Sequence, residues 1–180
     1  MDLVDLIEQR QFLGSEFLTW IWFKSNCYDG LLDVGELGRV EVTFDDQLSL
    51  EAYLAETQKS DLRGGAPADT IEAKIALRQG KRVAKTKLRI IFEGREWMLT
   101  FKGENLAMSG IKTPQVLTQE YDERFYERMY LLDEMESIIG TLYEEFLSIR
   151  LSKKWAADFL PAIQRWINSD SHVDQSLYPA

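Results

Sequence analysis

The sequence predicts an α+β fold, an antiparallel sheet of about four strands packed with N-terminal helices and a long C-terminal helix pair. Three observations carry this. Residues 39–44, "RVEVTF", alternate strictly between apolar and polar. The same period returns in residues 84–92 and 97–101. From Phe125 to Ile149 the apolar positions switch to 4-3 spacing, the period of a helix with one buried stripe. Together the strands read as an antiparallel sheet with one covered face.

Taken in order, Leu3, Leu6, Ile7, Phe12 and Leu13 predict a first helix over residues 2–13, with a break at Gly14-Ser15 and Ser15 as N-cap of a second. That second helix contains "EFLTWIWFKS". At 100° per residue its Trp20 and Trp22 point about 200° apart, so one apolar stripe cannot hold both. One indole is expected on the sheet, the other on the long C-terminal helix or a second subunit. Residues 26–38, with three glycines, read as loop. Strand 39–44 buries Val40, Val42 and Phe44, Asp45-Asp46-Gln47 reads as a turn, and Leu48, Leu50, Ala52 and Leu54 share the face of the next strand.

The stretch 58–67 is rich in breakers and reads as exposed loop. Asp69 or Thr70 caps a short helix through Gln79 that buries Ile71, Ile75 and Ala76 and stops at Gly80. A hairpin follows, with Ala84, Leu88, Ile90 and Phe92 inward, a turn at Glu93-Gly94, and Trp97, Leu99 and Phe101 inward again. Phe125, Met129, Leu132, Met135, Ile139, Leu142, Phe146 and Ile149 then predict a helix of roughly 30 residues, about 45 Å at 1.5 Å per residue, longer than a small sheet can cover. Gly140 inside it marks a kink or a close contact. Ser152 caps a last helix carrying Trp155, Phe159, Trp166 and Ile167, which Pro161 splits. The chain reads as a single α+β domain over 1–180: helices plus sheet in 1–119, a helical part in 120–168 and a loose tail in 169–180.

Composition limits the function classes. With 45% hydrophobic and 28% charged residues in 180, the chain is globular. Its longest apolar runs fall far short of the roughly 20 residues of a membrane span, and the acidic, amphipathic N-terminus lacks the form of a signal peptide, so no membrane partner and a cytoplasmic location are expected. The single Cys27 forms no internal disulfide and agrees with a reducing compartment. One cysteine, one histidine (His172) and scattered carboxylates give no zinc centre, and the acidic pairs Asp45/Asp46, Asp133/Glu134 and Glu144/Glu145 read as solvated faces. Glu72-Ala73-Lys74 has the E-x-K spacing of metal-dependent nucleases, but on a helix residues two apart diverge by about 200°. Gly80-Lys81 lacks the glycine spacing of a P-loop. None of these patterns selects a catalytic residue, a metal, a cofactor or a small-molecule substrate, and none is expected.

Two features remain. The net charge is −9, yet residues 73–92 hold seven basic residues and no acid: Lys74, Arg78, Lys81, Arg82, Lys85, Lys87 and Arg89. Alternation would aim Lys81, Lys85, Lys87 and Arg89 to one side at roughly 6.6 Å steps, as a phosphate-contacting row or as a solvated face neutralised by Glu96 and other acids. The aromatic helix offers Trp20, Trp22 and Phe23 to the core or, being apolar on all sides, to the interface of a homodimer.

The segments "FLGSEFLTWIWFKS", "ALRQGKRVAKTKLRIIFEGREWMLTF" and "FYERMYLLDEMESIIGTLYEEFLSIRLS", spanning roughly residues 12–150, resemble the bacterial RdgC-like, recombination-associated family. The middle segment is similar to that family's C-terminal half, where a helix ends in Gly-Lys-x-Val, here Gly80, Lys81 and Val83. No counterpart of the family's N-terminal half is expected within these 180 residues. The resemblance implies a nonenzymatic homodimer that binds duplex DNA without strong sequence preference; on this chain the seven basic residues named above are the surface read for that contact. The alternative is a dimeric interaction or structural module, joined through the aromatic helix or the long C-terminal helix, that makes no nucleic-acid contact.

Overall fold

The computed structural model describes residues 3–52, 59–169 and 175–179, with side chains described from residue 13 onward. The expectations for Leu3, Leu6, Ile7, Phe12, Leu54 and His172 lie outside the described side chains. The fold is α+β: a six-stranded antiparallel sheet in the order β1-β2-β4-β5-β6, with β3 also paired to β2, and helices on one face. The strands are β1 (Leu31–Asp33), β2 (Arg39–Ala52), β3 (Lys59–Arg63), β4 (Lys81–Phe92), β5 (Arg95–Lys102) and β6 (Met108–Lys112). The helices are α1 (Leu3–Cys27), α2 (Ile71–Arg78), α3 (Tyr121–Arg150) and α4 (Leu160–Asn168).

Both N-terminal helices prove to be one, α1, which runs through Gly14-Ser15. Gly14 has a different purpose from a helix stop. A Cβ there would lie 2.3 Å from the Gly103 carbonyl oxygen, and one on Gly103 would lie 2.2 Å from the carbonyl oxygen of Val83. Two glycines thus let α1 cross the end of β5 backbone to backbone. Further along α1, Trp20 packs on Phe146 of α3 at 5.6 Å between ring centroids, and Trp22 packs on Phe44 of β2 at 5.7 Å and edge-on to Trp166 of α4 at 5.2 Å. The divergence of the two indoles is met inside one chain, one on the sheet and one on the long helix.

The expected turn at Asp45-Asp46-Gln47 is instead a bulge within a continuous β2. Phe44 pairs with Leu88 and Leu48 with Thr86, so three residues stand against Lys87 alone. A second irregularity sets Ser49 against Lys85 but Leu50 against Val83, which makes Ala84 the extra residue and buries Val83 in the place expected for Ala84. β1 and β3 occupy stretches expected as loop; both lie against β2, and β3 alternates only between exposed and half-buried positions, so no apolar period announces it. The β4–β5 hairpin forms as expected, with Glu93 at φ 50° and Gly94 at φ 75° in its two-residue turn.

Thr70 caps α2 by accepting the Ala73 N–H at 3.3 Å, and Ala76 is buried as expected, but Ala73 and Leu77 are buried with it while Ile71 and Ile75 are exposed. In α3 the buried stripe is Leu131, Met135, Ile138, Leu142 and Phe146; Phe125 and Met129 are exposed. A Cβ on Gly140 would meet nothing within 4 Å, and α3 continues through it. A π-helical stretch, Trp155–Phe159, leads into α4, with Pro161 in the first turn of α4. The tail is less loose than expected: Tyr178 stacks on Phe23 at 5.5 Å and meets Tyr28 and Phe159 edge-on.

Candidate functional site

The seven basic residues are not gathered into one row. Lys74, 6% exposed, donates to the Ser169 carbonyl at 2.9 Å and lies over the Trp166 ring, and Arg78 Nε donates to the Ile167 carbonyl at 2.9 Å. Both satisfy the C-terminal end of α4, where carbonyls have no partner in the helix and cations are favoured. This corrects the assignment of Lys74 to a nucleic-acid surface. Lys81 donates to Ser60 Oγ at 2.7 Å, and Arg82 lines a small cleft with Glu16, Thr19 and Trp155. The second irregularity of β4 separates these two from the residues that follow.

Lys85, Lys87 and Arg89 do share the open face of the sheet, alternating with buried Thr86, Leu88 and Ile90. The β2 bulge brings Asp45 and Asp46 to Lys87, at 2.5 and 3.0 Å, and Glu96 sits 2.8 Å from Arg89. Hydrogen bonds to Asp45 and then Asp46 raise the Lys87 pKa, and the bond to Glu96 raises that of Arg89. Lys85 stands directly opposite Lys102 across the β4–β5 ladder, and neither ammonium has a hydrogen bond or ion pair among the described residues.

Trp20, Trp22 and Phe23 are wholly buried within the chain, so the expected interface through them is corrected. Their neighbour Lys24 is buried too, bound to both oxygens of Glu145 and set over the rings of Trp20 and Tyr178 at 5.1 and 5.9 Å. It borders a cleft of about 460 Å³, but its charge is compensated within the fold. Burial raises the Tyr178 hydroxyl far above its ordinary pKa, which leaves it neutral.

The uncovered apolar surface lies at the start of α3. Leu131 is the first buried residue of that helix, and its carbonyl accepts the Trp97 indole N–H at 2.9 Å. Before it, Tyr121 (86%), Phe125 (59%), Tyr126 (71%), Met129 (43%) and Tyr130 (59%) are all exposed. At 100° per residue Tyr121, Phe125 and Met129 form a stripe, with Tyr126 about 100° to its side. Taking 150–250 Å² for each aromatic ring, the four rings leave roughly 500 Å² of largely apolar area in water, near the upper end for the largest patch of a monomer.

The base of this helix is fastened. Glu127 accepts the Leu117 N–H at 2.9 Å, the Thr118 N–H at 3.1 Å and the Thr118 hydroxyl, bonds that hold its carboxyl pKa below the usual glutamate value. Beside it a groove of about 780 Å³ runs between Met98 and Lys112 on one side and Tyr130 and Leu131 on the other. The neighbouring edge strand, β6, is exposed along its length but is broken by a register shift and by Gly110 at φ 60°, features that blunt strand addition. The sequence does hold a sign of this surface. A helix of this length outruns the sheet, and tyrosines at 121, 126 and 130 fall outside the stripe expected to be buried.

Among the described residues no group of three or more His, Cys, Asp or Glu is placed to hold a metal ion, and no helix is long and apolar enough to cross a membrane. Glu72 is exposed while Lys74 is buried, so the E-x-K pair points apart. No protein-family model matches the chain, and no curated protein is significantly similar to it. The RdgC-like resemblance is therefore carried by the quoted segments alone.

Proposed function

We propose that this chain is a nonenzymatic interaction module that docks through the exposed aromatic start of α3. One observation carries the reading: a helix whose second half is buried against the sheet and α1 presents four aromatic rings and Met129 to water in its first ten residues. Keeping such a surface wet is unfavourable at about 25 cal/mol per Å², and aromatic residues are what interface cores concentrate. A reducing, cytoplasmic setting fits the buried free thiol of Cys27.

Phe125→Glu tests the reading. A docking surface contributes nothing to the isolated fold, so the variant should keep the melting temperature of the parent within about 2 °C and lose whatever association the parent shows in sedimentation. A melting temperature lowered by roughly 5 °C or more would instead make Phe125 part of this chain's own core.

A second reading, binding of duplex DNA as the RdgC-like resemblance implies, finds support in Lys85 and Lys102, whose like charges oppose each other on the open face without an acid between them. Two cations predict a shallow salt dependence, about two decades of affinity per decade of salt. If this face binds, a shift of duplex DNA seen at low salt should vanish in the Lys85→Glu/Lys102→Glu variant. An unchanged shift would remove the reading.

A further inference from the structure

We propose that the outer edge of β2, where it lies open between β1 and β3, takes the N-terminal end of a basic peptide, one extended residue of which pairs with the backbone of Phe44. This site shares no residue with the aromatic start of α3 and stands independently of the docking reading.

The sheet register creates an open slot. A two-residue turn makes Phe92 and Arg95 a hydrogen-bonded pair, and the alternate pairs behind it, Ile90–Trp97 and Leu88–Leu99, exchange their bonds in the same way. The N–H and C=O of Ile90 and Leu88 therefore turn away from β2, and those of the residues opposite them, Val42 and Phe44, turn to the outer edge. For Val42 both bonds are made: its N–H donates to the Gly30 carbonyl at 2.7 Å, and its carbonyl accepts the Ser25 hydroxyl at 2.7 Å. On the other side the Asp46 carbonyl accepts the Gly64 N–H at 3.2 Å, and β3 begins to pair at Gln47. Between them the outward N–H and C=O of Phe44 have no partner among the described residues, although Phe44 is only 8% exposed. Phe44 lines a cleft of about 360 Å³. Because β3 and β1 are both antiparallel to β2, they form two pieces of one outer strand, interrupted opposite Phe44.

Hydrogen bonding selects the kind of occupant. The slot asks for one acceptor and one donor spaced as in a strand pair, which a peptide residue supplies. A phosphate brings acceptors alone, and a metal ion would leave the N–H unmet. Charge then selects a basic peptide. Asp29 and Asp69 line the cleft as exposed carboxylates with no ion pair among the described residues, whereas its other two charged groups, Asp45 and Arg89, are held by Lys87 and Glu96. Length selects a chain end. Val42 and Asp46 stand about 14 Å apart along β2 at 3.4 Å per residue, room for about three residues, and β3 and β1 occupy the line of the strand beyond them. A terminus enters where a continuous strand is blocked, and Asp29 and Asp69 attract an ammonium but repel a carboxylate.

Amide NMR of the full chain, with the tripeptide Ala-Lys-Ala amide bearing a free N-terminus as probe, tests this. Before peptide is added, the Phe44 N–H should exchange with solvent at least tenfold faster than the Val42 N–H, and saturating peptide should slow it at least tenfold. Acetylating the peptide, or exchanging its lysine for glutamate, should weaken binding at least tenfold, and methylating its backbone nitrogens should abolish the protection of Phe44. Asp29→Asn/Asp69→Asn should weaken binding to a similar degree, asparagine tolerating the φ of 53° at position 29 as aspartate does. The modified peptides keep the test on the parent chain if that variant fails to fold. A Phe44 N–H as protected as that of Val42 in the free chain overturns the slot. No shift of Phe44 at about 20 mM peptide, or binding that survives backbone methylation, overturns the peptide as its occupant.

Discussion

At the scale of single residues, the same amino acid does opposite things at two points in the helices. Gly14 is where α1 touches the end of β5, and a methyl group there would be driven into the backbone oxygen of Gly103 at 2.3 Å. Backbone on both sides gives it nowhere to go, so Gly14→Ala should cost about 1–3 kcal/mol, the range for overpacking a tight site. Gly140 has open space around the same position, and Gly140→Ala should add stability by up to about 1 kcal/mol through helix propensity. Urea unfolding of the two variants measures both signs, and a Gly14→Ala protein as stable as the parent would mean the crossing is looser than these distances. Neither sign is legible in the sequence. A glycine that permits contact and one that merely sits in a helix look alike until the facing strand is known. Trp20 and Trp22 are the contrary case, because the angle between them follows from helix geometry alone and demanded two different partners.

At the scale of elements, legibility follows burial. The interior stretches of β2, β4 and β5 alternate because one face meets the core, and their pattern can be read wherever the ladder is regular. It fails at the bulges, where an extra residue changes the side to which the chain points, so the row expected from Lys81 to Arg89 survives only from Lys85 onward. β3 and β6 escaped notice for the opposite reason. Edge strands with little or no buried side chain have no apolar period to show, and their breaker-rich sequences look like loop. The candidate site was half legible. The length of α3 said that part of it must lie uncovered, but the spacing that placed Phe125 and Met129 in the buried stripe could not tell which end. The location was decided by Trp97, whose indole N–H meets the Leu131 carbonyl and marks where the sheet's cover begins.

At the scale of the whole molecule, the two functional readings differ in sign in a single measurement. The body carries −9, and at low ionic strength its field reaches roughly 30 Å, well past the aromatic start of α3. Two copies approaching through the start of α3 therefore work against their mutual repulsion. Screening shortens that reach to about 10 Å at 0.1 M salt and leaves the apolar contact intact, so self-association should tighten severalfold between about 10 mM and 300 mM salt. Polyanion binding does the reverse, because each phosphate contact releases counterions whose return is favoured by salt. Sedimentation equilibrium of the unmodified chain across that range, alone and with duplex DNA, distinguishes them without a single substitution. Tightening with salt is the signature of aromatic contact between acidic bodies. Association that weakened instead would mean opposite charges hold the copies together, and the aromatic stripe would no longer be the surface to which the association owes its stability.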